Sequence, residues 1–252
     1  MTVILVTGGN RGIGFAIVEA LGSRIPYSTI LIGCRSVANA QGAIRELREK
    51  GVPAKLEALE ITITDDSSIR AAVATVEEKY GKLDVLVNNA GAVSAPQSAD
   101  LTEIRENWAQ TLDCLLTSQV LVTKAFLPLL RKAEWGRVIM ISSSRGSIAR
   151  NKSIELPPSQ YWVYNCAKAA LNLATVEFRN DEFRQVANES DRITFWTVNP
   201  GYCKTGFNNF RGLKDPLEGA EATARLVGSR RGEVPSGTFW EFEQGNFQQV
   251  PW

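Results

Sequence analysis

Residues 3–6 read Val-Ile-Leu-Val, a run that is apolar on both faces of any strand it forms. Alternation would leave one face for water. Continuity demands cover on both, and helices laid on either side of a parallel sheet supply it. The next residues are TGGNRGIG (7–14), and behind them Ile13, Ala16, Ile17, Ala20 and Leu21 recur at helical spacing. A buried strand, a glycine-rich turn and a helix in that order leave few architectures open.

The alternation continues along the chain. Strand-like runs stand at TILIG (29–33), LEALEI (56–61), LDVLVN (83–88), RVIMIS (137–142), ITFWTV (193–198) and GTFWEF (237–242). Helical patterns lie between them at 43–50, 65–81, 101–132, 160–180 and 218–227; Gly51 and Gly81 act as stops. The expected fold class is α/β, a doubly wound parallel sheet (Rossmann fold) in a single domain over residues 1–252. No repeat or composition shift divides the chain, and 252 residues at 44% hydrophobic fill one substantial core.

Composition mainly excludes. Lys and Arg number 28 against 27 Asp and Glu, a net charge of +1 with no long run of one sign. Nucleic acid and anionic membrane are therefore not expected partners. No stretch approaches the about 20 apolar residues of a membrane span, and MTVILVTGG is too short for a signal peptide. The expected localisation is cytoplasmic. Cys34, Cys114, Cys166 and Cys203 are scattered and the chain has no histidine, so free thiols and no metal site are expected.

In sheets of this kind ligands bind beyond the carboxyl ends of the strands. Gly8, Gly12 and Gly14 allow a tight turn there, with the following helix aimed at a pyrophosphate. After the second strand comes GCRS (33–36), where an NAD site usually carries an acid for the ribose 2′-hydroxyl. This chain has Arg35, and Arg11 in the glycine loop; two guanidinium groups suit a 2′-phosphate, so NADP(H) is the expected cofactor. NNAG (88–91) follows the fourth strand and SSSRG (142–146) the fifth. In YWVYNCAK (161–168), Tyr164 and Lys168 stand four apart and share a helix face. Two readings of the pair are open, an acid–base centre and an ordinary amphipathic turn.

TGGNRGIG, NNAG, the serines after the fifth strand, Tyr164-xxx-Lys168 and NPG (199–201) occur in one order. Together they resemble the short-chain dehydrogenase/reductase family, from Val3 to about Phe242. TGGNRGIG, Arg35 and DPLEGAE (215–221) resemble its carbonyl-reductase-like, NADPH-using members. The resemblance implies an enzyme, an NADPH-dependent oxidoreductase passing hydride to a carbonyl, or imine, group of a small molecule. It implies Tyr164 as proton donor, its phenol (pKa ordinarily about 10) made more acidic by Lys168. Lys168 would also hold the nicotinamide ribose. Ser143 would hydrogen-bond the carbonyl oxygen; Tyr161 is the rival phenol. The implied cofactor contacts are Gly8, Asn10, Arg11, Gly12, Ile13 and Gly14 in the loop, with Arg35, Thr62 and Ile63 behind the second and third strands. Asn88 to Gly91, including Asn89 and Ala90, would line the adenosine side. Tyr164, Lys168, Pro200, Gly201 and Thr205 would surround the nicotinamide, Thr205 bonding its carboxamide.

Three departures stand against the family pattern. Leu115 occupies the position of an asparagine that completes a tetrad with Ser, Tyr and Lys and holds a relay water. Thr117 or Ser118 could substitute, if a helix irregularity brought it round; other waters could carry the relay; or reduction could be weak. The last case makes the chain a catalytically weak NADP-binding protein whose pocket serves as a binding or scaffold site. Thr62 stands where an aspartate often contacts adenine. Residues about 147–160 form a loop insertion beside Tyr164, stiffened by Pro157 and Pro158. Residues about 201–216 match a substrate lid, where Tyr202, Phe207 and Phe210 either meet an apolar or ring-bearing ligand or pack on the core. Trp162 and Trp196 are expected in the core. The C-terminal aromatic could return to the substrate cleft or pack on a partner. Both a monomer and a homo-oligomer are open.

Overall fold

The computed structural model describes residues 1–94, 98–153, 156, 157, 159 and 161–252. Eight strands form one sheet: β1 (Val3–Thr7), β2 (Thr29–Cys34), β3 (Lys55–Glu60), β4 (Val85–Asn88), β5 (Arg137–Ile141), β6 (Thr194–Asn199), β7 (Thr238–Glu243) and β8 (Asn246–Gln249). Their order is β3-β2-β1-β4-β5-β6-β7-β8. All neighbours are parallel except β7 and β8. The winding reverses between β1 and β4, which opens a crevice at their carboxyl ends.

Helices cover both faces. They are α1 (Gly12–Arg24), α2 (Val37–Glu49), α3 (Asp66–Tyr80), α4 (Leu101–Leu112), α5 (Ser118–Arg131), α6 (Ile148–Lys152), α7 (Trp162–Gln185) and α8 (Pro216–Gly228). The apolar run of β1 explains the two layers. Ile4 and Val6 join Ile17, Leu21, Ile44 and Ala220 on one side, while Val3 and Leu5 join Val76, Phe126, Leu129 and Leu171 on the other. Each such side chain, fully buried, contributes about 1.5–3 kcal/mol, so the central strands are held from both faces.

The helix signals were partly readable. Asp65 caps α3 by accepting from the amides of Ser67 and Ser68, and Gly81 closes it at φ 71°. By contrast α2 starts six residues before its apolar pattern, because Ser36 caps it from the amide of Asn39. The expected helix over 101–132 is interrupted by a π-helical turn at Asp113–Thr117, where the Ser118 amide reaches the Asp113 carbonyl. Pro128 lies inside α5 without ending it there.

Other differences concern the second half. The expected all-parallel sheet gains β8, an antiparallel strand of mostly polar residues joined to β7 by Gln244 and Gly245 at φ 49° and 81°. That left-handed pair is what a two-residue hairpin turn requires. Trp196 is in the core, but Trp162 is 73% exposed, because it opens α7 on the solvent side. The insertion contains α6; Pro158, one of its two expected stiffening residues, lies outside the described residues. Among the described residues one helical stretch, Leu101–Arg131, is long and apolar enough to cross a membrane by length and composition, contrary to the expectation of none. Its Val122, Phe126, Leu129 and Leu130 pack against the sheet, as in a core helix.

Candidate active site

The carboxyl ends of β1 and β4 meet in a hydrogen-bonded corner. The Thr7 hydroxyl donates to the Val87 carbonyl and accepts from the amides of Asn89 (3.0 Å) and Ala90 (3.1 Å). The Asn89 side chain donates to the carbonyls of Thr7 (2.9 Å) and Gly8 (3.3 Å). Residues 89–91 are thereby pressed on the glycine loop: a Cβ on Gly8 would sit 2.9 Å from the Ala90 Cα, and one on Gly14 only 2.2 Å from the Gly8 carbonyl. Asn88 corrects the expectation that it lines the site. It is 1% exposed and its amide points inward to the Thr123 hydroxyl at 2.7 Å.

The glycine loop leaves a helix end open. Helices α2, α3, α4 and α8 are capped by the side chains of Ser36, Asp65, Asp100 and Asp215. At α1 the N-cap is Arg11, which makes no side-chain cap, and the first turn carries no acid. Its first amides are free for an anion, which suits a cofactor pyrophosphate. Asn10 is half-buried in the loop, while Ile13 packs toward α8, its Cδ1 3.2 Å from where a Gly219 Cβ would be. The Gly8 amide donates to the Gly33 carbonyl (2.7 Å), so the end of β2 lies against this loop. Arg11 and Arg35 are exposed there, and neither forms an ion pair with the described residues. Behind β3, Thr62 is half-buried with its amide on the Ser68 hydroxyl (2.8 Å), and Ile63 is buried.

The serine loop follows β5. Ser142 is buried and donates to Asn172 on α7 (2.6 Å). Ser143 accepts from the Arg145 amide (3.2 Å), and its hydroxyl lies close enough to the Tyr164 phenol to favour the phenolate. Lys168 is 7% exposed; its Nζ donates to the Ile141 carbonyl (2.7 Å) and lies 5.9 Å from the Tyr164 ring centroid. Ser143, Tyr164 and Lys168 are thus brought together, while Tyr161 is 41% exposed at the start of α7.

Electrostatics differ from the expectation that Lys168 makes the phenol more acidic. Burial pushes Tyr164 above the ordinary phenol range, opposed by the Ser143 hydrogen bond and the Arg145 charge. Burial also pushes Lys168 down to about 8. The reason is orientation and solvent: the ammonium is turned to the Ile141 carbonyl, and both side chains lose water that would stabilise their charged forms.

The start of the expected lid, after β6, is fixed by side-chain contacts that sequence reasoning missed. The Asn199 Oδ1 accepts from the amides of Ser144 (3.0 Å) and Gly201 (3.1 Å), and its Nδ2 donates to Glu241 (2.8 Å). Glu241 also takes both terminal nitrogens of Arg150, at 2.8 and 2.6 Å, and the Gln248 amide at 2.7 Å. Arg150 lies in the insertion, so that segment clamps the serine loop rather than standing in solvent. The one legible signal was a glutamate inside the apolar strand TFWEFE.

Above the loop, Thr205 is buried and faces Gly12, whose Cβ would be 3.6 Å from its own. Pro200 accepts from the Cys203 thiol through its carbonyl, and Gly201 turns the chain at φ 85°. Tyr202, Phe207 and Phe210 are 58, 54 and 63% exposed, so they do not pack on the core. The Phe207 ring centroid is 6.1 Å from that of Tyr164. A cavity of about 430 Å³ opens beside the start of the expected lid, lined by Ser144, Arg150, Leu156, Tyr202 and Gln248 among others. Trp252 stacks on Phe239 and accepts from the Ala149 amide through its carbonyl, so it returns to the insertion.

Leu115 is 1% exposed and its Cδ2 fills the space beside Gly91. Thr117 is exposed. The side chain that meets backbone here is Gln119, buried in the first turn of α5, whose Nε2 donates to the carbonyls of Ala90 and Cys114.

The family model described as short chain dehydrogenase matches residues 2–215. A short-chain dehydrogenase/reductase of Aspergillus fumigatus is 37% identical over 259 residues, covering 99% of this chain and 97% of that protein. Carbonyl reductase [NADPH] 1 of Pongo abelii is 29% identical over 263 residues, covering 90% of this chain and 91% of that protein. Among solved structures, the carbonyl reductase Sniffer of D. melanogaster superposes with a TM-score of 0.78 at 27% identity, covering 100% of both chains.

Proposed function

The chain belongs to the short-chain dehydrogenase/reductase family of oxidoreductases, and on that premise we propose that it is an NADPH-dependent reductase of a carbonyl, or imine, group in an apolar or ring-bearing small molecule. The observation that carries this is the Tyr164 phenol beside Ser143, with the buried Lys168 Nζ 5.9 Å from its ring centroid. The glycine loop would hold the nicotinamide cofactor, which would supply the hydride. This chain's residues supply position and a proton.

A substrate oxygen seated between Ser143 and Tyr164 would accept from both as negative charge develops. A phenol held above its ordinary range keeps its proton at neutral pH and has it to give. Lys168, its Nζ 5.9 Å from the Tyr164 ring centroid, stands beside the phenol as a group from which the spent proton can be replaced. Arg11 and Arg35, without an ion-pair partner among the described residues, support a cofactor with a 2′-phosphate. The exposed aromatic lid supports an apolar or cyclic substrate. The names of the Pongo abelii and D. melanogaster relatives point to the same reaction class.

The test is NADPH oxidation against a panel of ketones, quinones and cyclic imines, with NADH as control. Turnover of at least one class with NADPH well above NADH is expected. Tight NADPH binding with no turnover of any class would contradict the proposal and favour a binding role.

A further inference from the structure

One buried polar group at the site has no task in that reading. Gln119 is 2% exposed, and its Nε2 donates to two carbonyls, those of Ala90 and Cys114. Two acceptors on one side fix the amide's orientation, because a flipped oxygen would face their lone pairs. The Oε1 is then a buried acceptor with no donor among the described residues. Such groups are normally satisfied, by protein or by an ordered water.

A matching donor lies on the facing element. Lys168 carries three N–H groups and, among the described residues, spends one on the Ile141 carbonyl. The π turn packs on α7, and Cys114 in that turn lies close to Lys168. The charged or titratable groups around this lysine are Cys114 from the π turn, Tyr164 on its own helix, and Arg145, which faces Tyr164 from the serine loop. Leu115 and Gln119 are four apart across the widened turn, so the longer side chain reaches back from one turn further on.

We propose that Gln119 is the positioning residue that replaces the amide absent at Leu115: its nitrogen fixes the backbone at Ala90 and Cys114, and its oxygen holds a water that accepts a hydrogen bond from Lys168. This rests on the reductase reading for its purpose. In each turnover the proton leaving Tyr164 goes to the substrate oxygen. The phenolate is reprotonated from the side of Lys168, which recovers one proton from the held water and, through it, from solvent. Apart from the hydride transfer that turns the substrate C=O (or C=N) into a C–H and an O–H (or N–H), no other bond changes.

The test uses Gln119→Met, close in size and without the amide, and Gln119→Met combined with Leu115→Asn. The first readout needs no turnover: NMR titration of the Lys168 side chain in the cofactor-free protein. Loss of an acceptor for the ammonium is expected to lower the Lys168 midpoint by about one pH unit in Gln119→Met. The second is kinetic: kcat is expected to fall about tenfold with KM for NADPH within twofold, and Leu115→Asn to restore most of it. An unchanged Lys168 midpoint, or an unchanged kcat, in a folded Gln119→Met protein overturns the proposal. Should Gln119→Met not fold, the double variant carries both measurements; wild-type-like titration supports the proposal and a lowered midpoint overturns it. If the wild type reduces nothing in the substrate panel, the reductase reading fails while the titration still decides the place of Gln119.

Discussion

A phenol and an ammonium four residues apart on one helix feel burial in opposite senses. It pushes Tyr164 up, toward keeping its proton, and Lys168 down to about 8, toward losing one. Reduction needs both protonated, so kcat/KM for NADPH should be level near neutrality and fall above about pH 8 as Lys168 becomes neutral. A pH–rate profile checks this, and a flat profile to pH 10 would count against it. At the other end of the site, Arg35 has no ion-pair partner among the described residues and no acid beside it. Arg35→Glu should weaken NADPH binding by at least about tenfold and narrow the preference over NADH; fluorescence titration of both cofactors reads the change. These residues were legible because their spacing is local: Tyr164 and Lys168 on one helix face, Arg35 just past a strand. Gln119 and Asn199 were not, because each acts on backbone brought near by the fold, at residue 90 for one and residue 144 for the other.

Among the described residues the insertion and β7 are joined by an ion pair between residues 91 apart in sequence, Arg150 and Glu241. Nothing in a local pattern announces such a pair. Burial alone would raise the Glu241 carboxyl, but hydrogen bonds from Arg150, Gln248 and Asn199 hold it below the ordinary range. A carboxylate with a depressed folded pKa stabilises the fold above its unfolded value near 4.5, and that contribution is lost as pH falls through the folded value. Glu241→Gln should therefore cost about 2–3 kcal/mol at pH 7, the Arg150 end being partly exposed, and lower Tm by roughly 5–10 °C. The gap from wild type should narrow as pH falls below about 4.5, which thermal melts across pH can follow. A gap independent of pH would mean the carboxylate charge is not what holds the clamp. The π turn was equally hidden. Its sequence DCLLT carries no helix breaker, and only the packing of Leu115 beside Gly91 and of Gln119 on two carbonyls shows what the widened turn accomplishes.

Across the whole molecule, doubly apolar strands gave away the sheet and their alternation with helices gave away its winding. The last strand escaped because NFQQ carries a single apolar residue, Phe247, and its hairpin turn is Gln-Gly rather than Asn-Gly. That short strand matters to function, since Gln248 completes the shell around Glu241 and the chain end returns to the insertion at Ala149. Sheet order brings the glycine loop, residues 89–91, the serine loop and the segment after β6 to one edge, with the Phe207 and Tyr164 ring centroids 6.1 Å apart. The protein should act by giving that phenol's proton to a substrate oxygen as hydride arrives. Tyr164→Phe keeps the ring and removes only the proton. Its single-turnover NADPH oxidation with a substrate found active should be at least about a thousandfold slower, with NADPH affinity within about threefold of wild type. Hydride transfer in Tyr164→Phe at the wild-type rate would show that the proton comes from elsewhere.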